Sequence, residues 1–350
     1  MTRRKITLFI ILFFLLTSIT FFFLRIFPIK QKDDSDIPTL LAKTATNLTK
    51  KLTKKNPPLS QINHVFVVLE ENHDWQTIYN NSSAPFINKT LLTQGAYASN
   101  YHNIPTNMGE LHPSELNYIF LEAGMVTFPD YTFTTDNDPS AKNSTSSINH
   151  FVTLLEKNGY TWKSYQEGIS GNDCPIITDN NYAPKHNPFL YFQNVSGNPP
   201  STANLYCKEH IRPIAELDQD IKTGNLPNYV FITPNLEHDM HNGTIAQADT
   251  WLSQIVPTIT NSSRFKKDGA LFITWDEGTE ENSNDKQTGG NNPIGMIMLS
   301  PFIKKGYTNT IEYSHASFLK TIEEIFHTSP LLGLTNDPKT KSLSDFFIIK

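Results

Sequence analysis

The sequence has no excess of basic residues, with 29 Lys and Arg against 34 Asp and Glu among 350 residues and a formal net charge of −5. Proteins that bind the phosphate backbone of a nucleic acid usually carry a basic patch. The charge balance therefore argues against nucleic acid as a partner and leaves a small phosphorylated molecule compatible with the chain. The chain also lacks internal repeats, and its 38% of hydrophobic residues can bury a core.

Long apolar runs are absent except near the N-terminus. Basic residues at positions 3–5 precede an apolar stretch at 6–24, which is about the length that spans a bilayer. Residues 1–27 are interpreted first as an uncleaved signal anchor and second as a cleaved signal peptide. The polar residues 28–60 predict a flexible tether, and residues 61–350 predict a single folded domain. That domain is expected outside the cytoplasm, either membrane-anchored or secreted.

Cysteine is scarce, with Cys174 and Cys207 alone in the whole chain. In an oxidising compartment an even number of cysteines usually forms disulfides, so we predict a bond between the two. The alternative is a pair of buried free thiols. Both lie in the Asn-, Pro- and Gly-rich residues 168–208, which also contain His186. This segment predicts a long loop over one end of the core sheet, pinned by the disulfide.

Apolar stretches that alternate with amphipathic ones indicate an α/β fold. Strands alternating with helices favour a doubly wound, mostly parallel sheet with helices on both faces. We predict strands at 64–69, 161–166, 229–233, 270–275 and 294–300, and helices at 84–94, 118–123, 149–158, 245–259 and 315–326. The acidic, polar residues 280–290 predict a mobile flap beside the fourth strand.

Three of the predicted strands end in residues that can bind metal ions. These residues are Glu71 and Asn72, Asp239 and His241, and Asp276 and Glu277. In an open α/β sheet, ligands bind just outside the carboxyl ends of the strands, so we expect the three sets to share one crevice. A cap or turn role is the simpler explanation for one strand alone. Coincidence at three strands favours a divalent metal site, to which His315 could contribute from the start of a helix.

Ser114 stands directly after Pro113 and before an apolar helix. The simplest interpretation is a helix N-cap. The functional interpretation is a nucleophile, because a hydroxyl at a helix N-terminus faces free backbone N–H groups and the positive end of the helix dipole. A metal bound to the same oxygen would lower its pKa.

Taken together, these motifs resemble the phosphoesterase family of the alkaline phosphatase superfamily, which includes bacterial acid phosphatases, phosphatidylinositol-3-phosphate phosphatases and phospholipases C. The resemblance extends over residues 63–326. The motifs that carry it are Glu71-Asn72, His112-Pro113-Ser114 with Asn117-Tyr118 and Gly124, Pro234-Asn235 with Asp239-Met240-His241 and Asp249-Thr250-Trp251-Leu252, Trp275-Asp276-Glu277-Gly278, and Tyr313-Ser314-His315. The sequence departs from the family pattern at Leu116, where proline is frequent, and His73 has no assigned role.

The resemblance implies a role for each matched residue. Ser114 corresponds to the phosphorylated nucleophile, and Asn117 to an amide that binds the phosphoryl oxygens. The first metal site corresponds to Glu71, Asn72, Ser114, Asp276 and Glu277, and the position of a second ion to Asp239, His241 and His315. The implied cofactor is one or two divalent ions, and Mg, Mn, Ca, Zn and Fe all suit these ligands.

The activity that the resemblance implies is that of a phosphomonoesterase that works through a phosphoserine. His238, His241 and His186 are alternative proton donors to the leaving oxygen. A phospholipase C-type phosphodiesterase is the alternative enzyme, although the chain is short for it. A membrane-tethered binding module with an inactive site is the non-enzymatic alternative. The expected substrate is a small phosphorylated molecule or a phospholipid head group.

Overall fold

A computed structural model describes residues 58–109, 111–279 and 291–348. The predicted anchor, nearly all of the predicted tether and the predicted flap at 280–290 lie outside the described residues. The last residues assigned to the tether belong to the folded domain, since Pro58–Gln61 forms a 3₁₀ turn and Leu59 is buried. None of the helices in the three ranges has the length and apolar character that crossing a bilayer requires.

The described part of the chain contains ten strands and ten α-helices. The strands are His64–Glu70 (β1), Ala96–Ala98 (β2), Tyr101–His102 (β3), Trp162–Gln166 (β4), Ile211–Pro213 (β5), Tyr229–Thr233 (β6), Gly269–Trp275 (β7), Met296–Leu299 (β8), Thr308–Asn309 (β9) and Tyr313–Ser314 (β10). The helices are Trp75–Ile78 (α1), Leu92–Gln94 (α2), Ser114–Ala123 (α3), Phe151–Lys157 (α4), Gln193–Ser196 (α5), Leu205–His210 (α6), Ala215–Thr223 (α7), Ile245–Thr260 (α8), Ser263–Asp268 (α9) and His315–Phe326 (α10).

Eight strands form one open sheet in the order β5-β4-β6-β1-β7-β8-β2-β9. The strands from β5 to β7 run parallel to one another. All seven residues of the central strand β1 are buried, which explains why it is almost continuously apolar in sequence. The predicted mostly parallel sheet is confirmed.

Helices cover both faces of this sheet. On one face Phe272 of β7 packs edge-on against Phe318 of α10, with ring centroids 5.2 Å apart. On the other face Phe66 of β1 packs against Phe265 of α9 at 6.1 Å. Because side chains alternate between the faces of a strand, both surfaces of β1 and β7 are sealed from water. The carboxyl ends of the parallel strands are left as the place where a crevice can open.

Several predicted boundaries differ from the observed elements. The strand predicted at 294–300 is the shorter β8, and it runs antiparallel to β7. The helix predicted at 84–94 is a π-helical turn at Ile87–Leu91 followed by α2. Helix α9 was not predicted, because its six residues are too few for a periodic pattern. It begins where the Ser262 hydroxyl accepts a hydrogen bond from the Phe265 amide at 3.1 Å.

The predicted disulfide between Cys174 and Cys207 is confirmed. The two Cα atoms are 5.4 Å apart and the half-cystines are 33 positions apart in sequence. Both side chains are fully buried. The closed loop contains the one-turn 3₁₀ helices Pro184–His186 and Pro188–Tyr191, so the bond restrains a segment with little regular structure of its own.

Reduction of this disulfide should destabilise the protein. Closing a loop of this length removes conformational entropy from the unfolded chain, which corresponds to roughly 3 to 4 kcal/mol in the chain-entropy model. We expect a reductant to lower the melting temperature of the wild type to that of a Cys174→Ser/Cys207→Ser variant, and to leave the variant unchanged. Two free thiols in denatured, unreduced wild-type protein would show that the bond does not form.

Candidate functional site

The carboxyl ends of β1, β6 and β7 meet at the start of α3. The Ser114 hydroxyl donates a hydrogen bond to Oε2 of Glu71 at 3.0 Å. The backbone amide of Asn72 donates to Oδ1 of Asp276 at 3.0 Å, and this hydrogen bond links the end of β1 to the end of β7. The amide of Glu71 donates to the carbonyl of Asp239 at 2.7 Å, which brings in the segment after β6. The three predicted sets of polar residues therefore share one crevice.

Ser114 is not the N-cap that its sequence position predicts. Pro113 occupies the cap position, and Ser114 is the first helical residue of α3. Its hydroxyl donates to Oε2 of Glu71. Ser114 is only 3% exposed, so its oxygen is held inside the crevice. The positive end of the α3 dipole lies at the same point.

The crevice contains several buried polar atoms that have no hydrogen-bond partner among the described residues. These atoms are Oδ1 of Asn72, Nε2 of His186, Oδ2 of Asp239 and Oδ2 of Asp276. In addition, one ligand atom each of Glu71, His186 and His241 lies within 4.8 Å of the other two. Buried polar groups normally have hydrogen-bond partners. A set of buried atoms without them lowers the stability of the fold unless a bound ion or molecule interacts with them. Carboxylate, amide and imidazole donors fit a divalent cation.

The acidic groups of the crevice raise one another's pKa values. Burial raises the pKa of Glu71 well above its ordinary range, and the charges of Asp276 and Asp239 raise it further. Burial raises the pKa of Asp239 to about 7. Burial and the charge of Asp276 raise the pKa of Glu277 to about 8. These shifts mean that the protein lacks enough positive charge of its own to stabilise the ionised carboxylates, as expected for a cation site.

His186 reaches the crevice from inside the disulfide loop. Its Nε2 lies 3.4 Å from Oε2 of Glu71, and its Nδ1 lies 3.3 Å from Oδ2 of Asp239. The Thr233 hydroxyl at the end of β6 donates to the His186 carbonyl at 3.1 Å and fixes the loop to the sheet. Burial lowers the pKa of His186 to about 3, so the imidazole is neutral, which is the form that binds metals.

Tyr118 supports both Glu71 and His186. Its hydroxyl donates to Oε1 of Glu71 at 2.6 Å. Its ring stacks on the His186 ring, with centroids 5.1 Å apart and planes 6° apart. No role was predicted for Tyr118, although its position in the sequence was a usable signal. Residues four apart lie on the same face of a helix, and Tyr118 is four residues after Ser114.

Asn117, Glu277 and His112 form a second cluster beside the serine. The Asn117 amide donates to Oε2 of Glu277 at 2.6 Å, and its Oδ1 accepts from the Asn103 amide at 3.0 Å. Nδ1 of His112 lies 2.8 Å from the same Glu277 oxygen. Asn117 is therefore engaged by the protein at the place where it was predicted to bind phosphate. His112 was missed as a functional residue, although it stands two residues before Ser114 in the quoted motif.

The geometry can be compared with known proteins. A family model described as Phosphoesterase family matches residues 78–329, which is most of the described domain. The chain belongs to the phosphoesterase family. It is a hydrolase of phosphate esters. The expected resemblance is thereby confirmed.

Two relatives are similar to this phosphoesterase in sequence, and one solved structure is similar to it in fold. It is 31% identical to the phosphatidylinositol-3-phosphatase of Mycobacterium tuberculosis, over 79% of this chain and 80% of that protein. It is 29% identical to a Kluyveromyces lactis protein named "Probable acid phosphatase", over 74% of this chain but only 56% of that protein. The lipoteichoic acid synthase LtaP of Listeria monocytogenes shares the fold, with a TM-score of 0.53 at 12% identity over 85% and 82% of the two chains.

In this phosphoesterase His315 does not join the donor set. Its Nε2 lies 2.8 Å from the backbone carbonyl of Asp276, and its Nδ1 lies 3.0 Å from the Tyr101 hydroxyl. Both ring nitrogens are thus engaged by the protein, and the role of His315 at a second ion stays a prediction. The residue fixes the end of the strand that carries Asp276. Burial lowers its pKa to about 4, so the ring is neutral.

His238 is also directed away from the donors. Its Nδ1 lies 2.9 Å from Glu167, and its ring lies 6.4 Å from that of Trp251. No contact between His238 and Ser114 or Glu71 is recorded among the described residues. The Glu167 carboxylate thus holds the ring, and the role of His238 as proton donor to the leaving oxygen stays a prediction.

Asp276→Asn should lower the metal content of this phosphoesterase, because it weakens a ligand whose free oxygen faces the crevice. Asp268→Asn is a matched control, since Asp268 is also buried and binds His64 at 2.6 Å at the opposite end of β7. We expect elemental analysis after loading with Mg, Mn, Ca, Zn or Fe to show loss of metal in Asp276→Asn alone. Equal metal content in the two variants would remove Asp276 from the ligand set.

The metal-free enzyme should lose stability as the pH rises from about 6.5 to about 8.5. Asp239 and Glu277 have folded pKa values of about 7 and about 8, above their unfolded values near 4, so the native state binds protons that the unfolded state has lost. The lowered pKa values of His186 and His315 make the stability rise with pH, but only below pH 6.5. Calorimetric melting with a chelator across this window tests the sign, and a melting temperature that rises with pH would contradict it. A bound metal should make this loss of stability with rising pH smaller.

Proposed function

We propose that this protein is a metal-dependent phosphomonoesterase of the acid phosphatase type that works through a phosphoserine at Ser114. The observation that supports this most strongly is the Ser114 hydroxyl, which is buried at the first residue of α3 and donates to a carboxylate among metal-type donors. The name of the Mycobacterium tuberculosis relative makes phosphoinositides a substrate class to test.

We assign the cation to Glu71, Asn72, Asp276, His186 and His241. Support for this set comes from the buried atoms that lack protein partners and from the raised carboxylate pKa values. A divalent ion bound there would lower the pKa of the serine hydroxyl and offset the charge on the phosphoryl oxygens. The identity and number of ions remain part of the proposal.

The residues around Ser114 support a two-step displacement. With Glu71 kept ionised by the cation, its Oε2 would accept the serine proton as the serine oxygen forms a bond to phosphorus and the bond to the leaving oxygen breaks. His112 and Glu277, 2.8 Å apart, hold a proton that can pass to that leaving oxygen. The positive end of the α3 dipole favours the negative charge of the phosphoryl group. Water then attacks the phosphorus, the bond to the serine oxygen breaks, inorganic phosphate leaves, and the proton held by Glu71 returns to the serine oxygen.

The diesterase alternative would use the same crevice with a second ester arm in place of one phosphoryl oxygen. An inactive binding module is the remaining alternative. It would keep the metal site without turnover. The phosphatase, the diesterase and the inactive module predict different rates of hydrolysis for a phosphomonoester and a phosphodiester.

We also propose that the domain works outside the cytoplasm, anchored or secreted through residues 1–27. The buried Cys174–Cys207 bond supports an oxidising compartment. Fractionation of cells that express the full chain, with protease protection, tests this part of the proposal.

Ser114→Ala should lower phosphomonoester turnover by on the order of a thousand-fold or more, because the attacking oxygen is lost. Ser300→Ala is the matched control. Ser300 is also buried, but its hydroxyl donates to the Gly269 carbonyl at the opposite end of the sheet. We expect the control to lose stability without losing activity.

The measurement uses the full-length protein with glycerol 2-phosphate and bis(p-nitrophenyl) phosphate, with and without a chelator. Monoester turnover that a chelator abolishes supports the proposal, as does one phosphoryl group on Ser114 after acid quench. Near wild-type turnover by Ser114→Ala would reject Ser114 as the nucleophile. Faster diester than monoester turnover would favour the diesterase.

A further inference from the structure

A cationic side chain stands at the edge of the crevice. Lys185 directly precedes His186, and its ammonium pairs with the carboxylate of Asp136. The side chains of Lys185 and Asp136 are 19% and 33% exposed, so the pair is partly open to solvent. No sequence motif singled out either residue, because they are 49 positions apart and meet only in the fold.

Asp136 connects this lysine to the helix that carries the serine. Its Oδ1 accepts a hydrogen bond from the amide of Glu115 at 3.1 Å, and its Oδ2 accepts from Lys185. Glu115 directly follows Ser114 in α3. The ammonium is therefore joined to the residue beside the nucleophile through a single carboxylate.

The segment around Asp136 is firmly held. Oε2 of Glu115 accepts hydrogen bonds from the Thr135 hydroxyl at 3.1 Å and from the Asn137 amide at 2.9 Å. Both neighbours of Asp136 are thus bound to the Glu115 side chain, while Asp136 is bound to the Glu115 backbone. The lysine partner is consequently fixed in position, and this reduces the entropy lost when Lys185 meets a substrate.

The charge of Lys185 acts on the crevice itself. Burial is the largest influence on its pKa and lowers it, but the bond to Asp136 and the charges of Glu71 and Asp276 raise the pKa above its ordinary value. In the other direction, the charge of Lys185 contributes to lowering the pKa of His186, after burial. In the structure the ammonium is on the residue before His186 and is linked through Asp136 to the amide of Glu115, the residue after Ser114.

We propose that Lys185, held by Asp136, is a specificity-determining residue that favours phosphomonoesters over phosphodiesters. An ammonium has three N–H donors, and the carboxylate of Asp136 does not require all of them. A phosphomonoester carries nearly two negative charges at neutral pH, whereas a diester carries one. A fixed cation at the edge of a crevice rich in carboxylates therefore stabilises the monoester more. This inference rests on the proposed phosphatase function and adds the basis of its substrate class.

The test compares full-length, metal-loaded wild type with Lys185→Gln and Lys185→Arg. Substrates are glycerol 2-phosphate and bis(p-nitrophenyl) phosphate, and the measured quantity is the ratio of their kcat/KM values. Lys185→Gln should lower monoester kcat/KM about tenfold or more and change diester kcat/KM by no more than about twofold, since one charge contact is lost. Lys185→Arg should retain most of the wild-type ratio.

Lys163→Gln is the matched control, because Lys163 also pairs with an aspartate, Asp220 at 2.6 Å, but on β4 outside the crevice. It should keep the wild-type ratio. A merely structural role for Lys185 would lower turnover of both substrates equally, and an unchanged ratio in Lys185→Gln would overturn the proposal.

Two further results separate this inference from the proposed function. Wild-type protein that hydrolyses neither ester would overturn both. Wild-type monoesterase activity with an unchanged ratio in Lys185→Gln would overturn the inference alone. Calorimetric binding of inorganic phosphate to the metal-loaded proteins provides a readout besides activity. Binding weakened about tenfold by Lys185→Gln supports the inference, and equal binding contradicts it.

Discussion

The crowding of buried carboxyl groups at the carboxyl ends of β1, β6 and β7 is the constraint on which the rest of the site depends. Burial raises the pKa values of Glu71, Asp239, Asp276 and Glu277, and the charge of Asp276 raises those of Glu71 and Glu277 further. The surroundings contain groups that offset this negative charge, namely the start of α3, the hydrogen-bond donors around Glu71 and the nearby Lys185. They offset it only in part, since the carboxyl pKa values stay raised, and the proposed cation would complete the offset.

The sheet and its ligand-bearing ends could be predicted because their signals are local. The apolar runs at 64–69, 229–233 and 270–275 predict buried strands, and parallel strands must open at one end. The donors after each run therefore had to approach one another. The serine was predicted from its position before an apolar helix, although its place as first helical residue rather than N-cap was not.

Side-chain direction and distant pairing could not be predicted, because they depend on tertiary neighbours. His315 was expected among the ligands, but the Tyr101 hydroxyl and the Asp276 carbonyl hold both of its nitrogens. His186 was predicted only as one of three alternative proton donors, and its burial, which lowers its pKa beside Glu71, depends on the loop that carries it. The antiparallel direction of β8 could not be predicted either, since a run of apolar residues carries no information on parallel or antiparallel pairing.

Calorimetric titration of the chelator-treated, full-length protein with a divalent cation at neutral pH tests the central claim most directly. Run in two buffers of different ionisation enthalpy, it measures both the metal bound and the protons released. The carboxyl cluster predicts saturable binding of one or two ions per chain with release of protons, because ligands that hold protons in the free protein must lose them. Absence of saturable binding for Mg, Mn, Ca, Zn and Fe, or binding without proton release, would contradict the account.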